Sequence, residues 1–115
     1  MTRLPQKLLF VCGQNRYRSP TAERLYEGSE DYEVTSAGVD PAARIRVSQE
    51  HIEWADLIFV MEREQAAKLR RKFKNAMEGK RVICLNIPDT YGYMNLNLVE
   101  ELRRKLSDYV RVPRG

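Results

Sequence analysis

Histidine and cysteine are both scarce in this chain. His51 is the only histidine, and a lone histidine on a short helix packs more often than it ligates, so neither a metal nor any other cofactor is expected. Long apolar runs are missing as well. The stretch Leu8-Leu9-Phe10-Val11 is far too short for a signal core or a membrane span, which leads to the expectation of a cytoplasmic protein that does not engage a membrane. In that compartment thiols stay reduced, and the two cysteines, Cys12 and Cys84, read as chemical groups or small core residues rather than as a disulfide. Aromatics are thin where the positive charge is densest. Between Glu62 and Arg81 eight basic residues face three acidic ones, yet Phe73 is the sole aromatic there. Nucleic-acid binding by base stacking is therefore poorly supported, and the stretch reads as a solvated helix face or a docking face for an anionic partner. No repeat, low-complexity segment or linker interrupts the sequence.

What remains is an ordinary globular composition. The 115 residues, 43% hydrophobic and 31% charged, suit one domain spanning residues 1–115 that folds without staples. The net charge of +4 is compatible with an anionic substrate.

Strand and helix signals alternate. Lys7 to Cys12 is an almost continuous apolar run, as in a strand buried on both faces. Ser19-Pro20 reads as the cap and first residue of a helix with Ala22, Leu25 and Tyr26 inside. Tyr32 to Ser36 reads as a second strand closed by Ala37-Gly38, and Ser48 to Ala55 as a short helix. Asp56 to Met61 is the clearest buried strand, with a basic helix following to about Phe73. Arg81 to Ile87 reads as a fourth strand halted by Pro88. A last helix is expected from Asn97, with Glu100 completing a capping box and Leu98, Leu102, Leu106, Tyr109 and Val110 on its inner face. Four strands separated by helices imply a three-layer α/β/α arrangement around a four-stranded parallel sheet. Ligands of such sheets sit beyond the carboxyl ends of the strands, which singles out the loops after the first and fourth.

The first of these loops carries the chemistry: Cys12-Gly13-Gln14-Asn15-Arg16-Tyr17-Arg18-Ser19. A five-residue loop between a strand and a helix can curl its backbone N–H groups inward as a nest for phosphate oxygens, aided by the helix start. The residues from Gly13 to Tyr17 would line that nest, and Gly13 and Asn15 best tolerate the left-handed backbone it requires. Arg18 offers a planar fork for two phosphate oxygens. Positive surroundings favour a thiolate on Cys12, the form that acts as nucleophile, and the Ser19 hydroxyl can donate to it. At ordinary residue frequencies a given cysteine acquires Cys-x5-Arg-Ser by chance in under about 1% of cases. In the other loop Asp89 lies just past the fourth strand, on the face where Cys12 must sit. An acid there could protonate the departing oxygen of a phosphate ester.

This constellation resembles the low-molecular-weight protein tyrosine phosphatases, in particular the short bacterial proteins read as tyrosine phosphatases within that superfamily. Besides the loop, Ser19-Pro20-Thr21-Ala22-Glu23, Ser36-Ala37-Gly38 and Ala55 to Glu62 match in order over most of the chain. The resemblance implies hydrolysis of phosphate monoesters, with protein phosphotyrosine or small aryl phosphates as substrates, through a phosphocysteine on Cys12. It assigns Arg18 to phosphate binding and Asp89 to the general acid, with Tyr91, and with it Tyr93, as the aromatic walls of the pocket. The sequence departs from the family in four places. Pro88 precedes Asp89 instead of following it. Tyr17 stands where many members carry a second cysteine, and Arg16 where longer members carry an apolar residue. The segment between Gly38 and Ser48 is too short for their extra helix and second pocket wall. A shallow, cationic pocket is expected, with Arg16 meeting acidic residues beside the phosphate.

Two other functions fit part of the pattern. A thioredoxin-coupled arsenate reductase would use Cys84 as a relay, but needs a third cysteine that is lacking. A non-catalytic phosphate-binding regulatory module is the other; intact Cys12, Arg18, Ser19 and Asp89 argue against a degraded site. Trp54 reads as packing, and Glu23 and Glu62 as structural or helix-terminal residues.

Overall fold

The computed structural model describes residues 4–113. Apolar side chains in its first strand, β1 (Gln6–Cys12), alternate between two cores. Leu8, Phe10 and Cys12 face one way and Leu9 and Val11 the other, so both faces of the strand are buried. The same alternation in β3 (Leu57–Val60) sends Leu57 and Phe59 to the first core and Ile58 and Val60 to the second. With β2 (Tyr32–Gly38) and β4 (Arg81–Cys84) they form a four-stranded, wholly parallel sheet in the order β2-β1-β3-β4. The expected α/β architecture with a four-stranded parallel sheet is borne out.

Helices cover each face. On one side lie α1 (Arg18–Leu25) and α5 (Leu96–Leu106), which place Ala22 and the fully buried Leu98, Leu102 and Leu106 over Phe10 and Phe59. Burying each of these leucines contributes about 1.5–3 kcal/mol. On the other side lie α2 (Gln49–Trp54), α3 (Arg63–Lys72) and the short α4 (Lys74–Met77), which contribute Ile52, Ala66, Leu69 and Met77.

Several boundaries differ from the sequence reading, each for a local reason. Helix α1 begins at Arg18, one residue before Ser19, so Ser19 is not its cap; the hydroxyl is engaged elsewhere. Strand β2 runs on through Ala37 and Gly38, because Gly38 pairs with Cys12. The basic helix ends before Phe73 as read, but the short α4 was not expected; it follows Phe73, whose backbone is not helical (φ −124°, ψ 49°) and whose ring packs on the second core. Strand β4 stops at Cys84 rather than Ile87. Asn86 takes a left-handed conformation (φ 54°), although Leu85 and Ile87 still donate to Val60 and Met61 of the neighbouring strand. Helix α5 starts earlier than Asn97, with Asn95 as its cap; the Asn95 side chain accepts from the N–H groups of Asn97 and Leu98. Tyr109 lies beyond the last turn of α5 and is half exposed, meeting Phe59 edge-on. No described helix is long and apolar enough to cross a membrane.

Candidate active site

The loop from Gly13 to Tyr17 is moulded from outside. The segment after β2 passes alongside it, and four consecutive carbonyls, from Cys12 at the end of β1 to Asn15, accept from that segment. Val39 N–H donates to Cys12 O, Asp40 N–H to Gly13 O and Arg44 N–H to Gln14 O, each at 3.0 Å, and Arg44 Nε donates to Asn15 O at 2.9 Å. In a trans peptide the N–H opposes the C=O. Four outward carbonyls therefore turn the N–H groups of Gly13, Gln14, Asn15 and Arg16 inward. A row of inward donors of this kind is the geometry of an anion nest.

At its base lies Cys12 Sγ, buried, accepting from Asn15 N–H at 3.2 Å and 3.0 Å from Ser19 Oγ. Asn15 is fully buried with a left-handed backbone (φ 57°), as the sequence suggested. Its amide donates to both Ser19 Oγ and Ser36 Oγ at 2.9 Å, while Ser36 donates to Glu23 Oε1 at 2.5 Å. Because Ser19 Oγ already accepts from Asn15, its single proton is free to point at Cys12 Sγ; the competing acceptor, Ala37 O, is more distant at 3.5 Å. A chain from Glu23 through Ser36, Asn15 and Ser19 thus ends by offering a hydrogen bond to sulfur. Gly13, by contrast, needs no left-handed backbone. A Cβ there would stand 3.3 Å from Asp40 Oδ2, the movable end of a side chain, so space alone does not demand glycine at this position.

Arg18 is held before any ligand arrives. Its guanidinium is almost wholly buried, and Nη1 donates to Glu62 Oε2 at 2.7 Å and to Ile87 O at 2.9 Å. Nε lies 3.5 Å from Asp89 Oδ1, and Nη2 has no hydrogen bond with a described residue. The edge formed by Nε and Nη2 is the one that can take two oxygens of an anion. Asp89 itself is 64% exposed and lines a cavity of about 160 Å³ with Gly13, Gln14, Arg18, Asp40 and Glu62.

The structure thus joins Cys12, Asn15 and Ser19 through hydrogen bonds within the loop, and brings Gly13, Gln14, Arg18 and Asp89 onto the cavity beside it. Tyr91 is not on this cavity: its ring packs against the core and its hydroxyl donates to Glu101 at 3.1 Å, which also raises its pKa. Arg16, exposed, and Tyr93, half exposed, line a separate groove on the other side of the loop. Tyr17 precedes α1 and is half exposed. His51 completes the capping box of α2 with Ser48. Four residues were given no role in the site by sequence: Glu62, which anchors Arg18 while capping α3, Ser36 and Glu23 behind Asn15, and Arg44. The match of Ser36-Ala37-Gly38 to the family pattern marked the place of Ser36 but not its task.

No protein-family model matches the chain, and no curated protein matches it. Solved structures do. The tyrosine phosphatase Wzb from Escherichia coli K30, in complex with phosphate, superposes with a TM-score of 0.72 at 21% identity, over 92% of this chain and 96% of that one. The YwlE arginine phosphatase from Geobacillus stearothermophilus gives 0.68 at 24% identity, over 90% and 87%. A low-molecular-weight protein tyrosine phosphatase from Streptococcus pyogenes gives 0.71 at 15%, over 91% and 93%. The chain has the low-molecular-weight phosphatase fold. In that fold the loop after β1 and the loop after β4 meet at the carboxyl end of the sheet, where Cys12 and Asp89 stand.

The same topology separates the two cysteines. Cys84 aligns with Val60 of β3, which aligns with Val11 of β1, so Cys84 is two strands away from β1 and packs on the opposite face from Cys12. Two inter-strand steps amount to about 10 Å between Cα atoms, beyond the reach of a disulfide.

Proposed function

We propose that this chain belongs to the low-molecular-weight phosphatase superfamily and hydrolyses phosphate monoesters, with protein phosphotyrosine as its substrate class and the cytoplasm as its location. The observation that carries the reading is the row of inward N–H groups in the loop after Cys12, one of them donating to Cys12 Sγ, with the Nε–Nη2 edge of Arg18 facing Asp89 on the cavity beside the loop. The Cys12 thiolate attacks phosphorus in line, while the nest and Arg18 hold the three equatorial oxygens. Asp89 gives its proton to the departing ester oxygen. Water then attacks the phosphocysteine, the Asp89 carboxylate takes a proton from it, and inorganic phosphate leaves with the thiolate restored. Ser19 steadies the thiolate at both ends of the cycle. The separation of Cys84 from Cys12 weighs against an arsenate-reducing relay, and the intact nucleophile, arginine and acid weigh against a purely regulatory phosphate binder.

A second substrate class is phosphoarginine, the residue type acted on by the YwlE neighbour. Asp40, Glu62, Glu64 and Asp89 line the cavity beside the loop, but each is within ion-pair distance of Lys68 or Arg18, so a substrate guanidinium has to compete for carboxylates already partnered.

The deciding experiment measures turnover of para-nitrophenyl phosphate, a phosphotyrosine peptide and a phosphoarginine peptide by wild type and Cys12→Ser. Wild type is expected to hydrolyse the first two, and the variant to lose at least about 10⁴-fold while still binding phosphate. Retained activity in Cys12→Ser overturns the covalent mechanism, and a preference for phosphoarginine replaces the substrate class.

A further inference from the structure

Tyr26, at the end of α1, is the largest of the fully buried side chains. Its ring stacks on Phe10 and meets Tyr32 edge-on, with centroids 5.8 and 5.4 Å apart. Its hydroxyl has nothing to bond. Among the described residues only Asn15 Oδ1 and Tyr26 Oη are buried side-chain nitrogen or oxygen atoms without a partner. Buried hydroxyls are nearly always satisfied, because leaving one unpaired is unfavourable. Burial, with Tyr32 adding to it, pushes the phenol up, so the group stays protonated and presents a donor.

Tyr26 lines a groove of about 730 Å³ between α1 and β2, within the size range of ligand sites. Arg16, Arg24, Arg44 and Tyr93 line it too, together with Glu27, which pairs with Arg24, and Glu23, whose carboxylate accepts from Ser36. Arg16 and Arg44 tie it to the phosphate nest: Arg16 is part of the loop, and Arg44 holds Asn15 O. Tyr32, also on the groove, pairs with Gln6 at the amino end of the sheet, so the groove runs the length of β2 away from the nest. From Tyr32 to Ser36 an extended chain rises about 13 Å, the span of about four residues. Arg16 is exposed and forms no ion pair with a described residue, so a cation stands free where the groove meets the loop.

We propose that this groove is a subsite for the phosphorylated substrate itself. It takes about four extended residues on one side of the phosphorylated side chain, an acidic side chain meeting Arg16 and a carbonyl oxygen accepting from the Tyr26 hydroxyl. The subsite rests on the hydrolase reading above, since only a bound phosphate fixes the peptide's register in the groove.

The test compares kcat/KM for para-nitrophenyl phosphate, which has no flanking residues, with phosphotyrosine peptides bearing acidic or neutral flanks. The variants are Tyr26→Phe, which removes only the hydroxyl, and Arg24→Glu, which reverses an exposed charge on the groove wall. Tyr26→Phe is expected to lower kcat/KM for the acidic peptide about 3- to 10-fold, with para-nitrophenyl phosphate unchanged within about twofold. Arg24→Glu is expected to lower the same value about 2- to 5-fold, with the loss fading at high salt. Equal changes on all substrates, or peptides indifferent to both variants, overturn the subsite and leave the hydrolase standing. No turnover of any substrate by wild type overturns the hydrolase and the subsite together.

Discussion

The loop after β1 and the loop after β4 leave the same end of the sheet but are held in opposite ways. In the first, Asn15 and Ser19 are fully buried, and four successive carbonyls are tied to the segment 39–44. In the second, Asp89 is largely exposed and its carboxylate has one ion pair at 3.5 Å. Its neighbours are fixed at wider intervals, by Tyr91 on Glu101 and by Met94 N–H on Thr21 Oγ1. The difference matches what the proposed mechanism asks of each part. Groups that stabilise charge work best when already oriented, because reorganising them during the reaction raises the barrier. A proton donor to the leaving group must sit where that group enters and departs, at an open mouth.

The sharpest way to break the contrast is Arg18→Lys, on the fixed side. A lysine keeps the charge, but as a point charge it cannot span both Glu62 and Ile87 O while presenting a two-pronged edge. A loss of kcat/KM of about 10³-fold is expected, read with para-nitrophenyl phosphate. A loss under tenfold would mean that charge alone suffices and orientation is dispensable. On the open side, Asp89→Asn should cost about 100-fold for esters of poor leaving groups and markedly less for para-nitrophenyl phosphate. An equal loss across a leaving-group series would make Asp89 a shaper of the loop rather than an acid. The smallest effect is expected from Ser36→Ala, which cuts the link from Glu23 to Asn15. Turnover should fall several-fold, and stability by about 1–2 kcal/mol in urea denaturation. Unchanged turnover with lowered stability would confine the network to folding.

The sequence disclosed the fixed loop better than its supports. Cys12, Asn15, Arg18 and Ser19 lie within eight residues, and the buried strand before them is visible as an apolar run. Their anchors are remote: Glu62 is 44 residues from Arg18, and Ser36 is 21 from Asn15. Spacing rules do not reach that far, and each anchor also had an innocent local reading, Glu62 as a helix cap most of all. Boundaries were misjudged wherever backbone conformation overrode composition. Arg81 to Ile87 is apolar enough to be a longer strand, yet the left-handed turn at Asn86 ends it at Cys84. Asn95 displaced Asn97 as the cap of α5 because two asparagines stand two residues apart and either could serve.

Gly38 sits where the segment 39–47 leaves β2 and closes on the loop. A Cβ there would fall 2.5 Å from Gly13 O and 3.0 Å from Asn15 N, with Ala43 Cβ at 2.7 Å. The chain at this point is a casting mould pressed against its cast, with no room for even one methyl between them. The curvature of the anion cradle is therefore written on the far side of the backbone, in residues no substrate touches. Lengthening or shortening the segment between Gly38 and Arg44 would reshape the cradle as surely as editing the cradle itself.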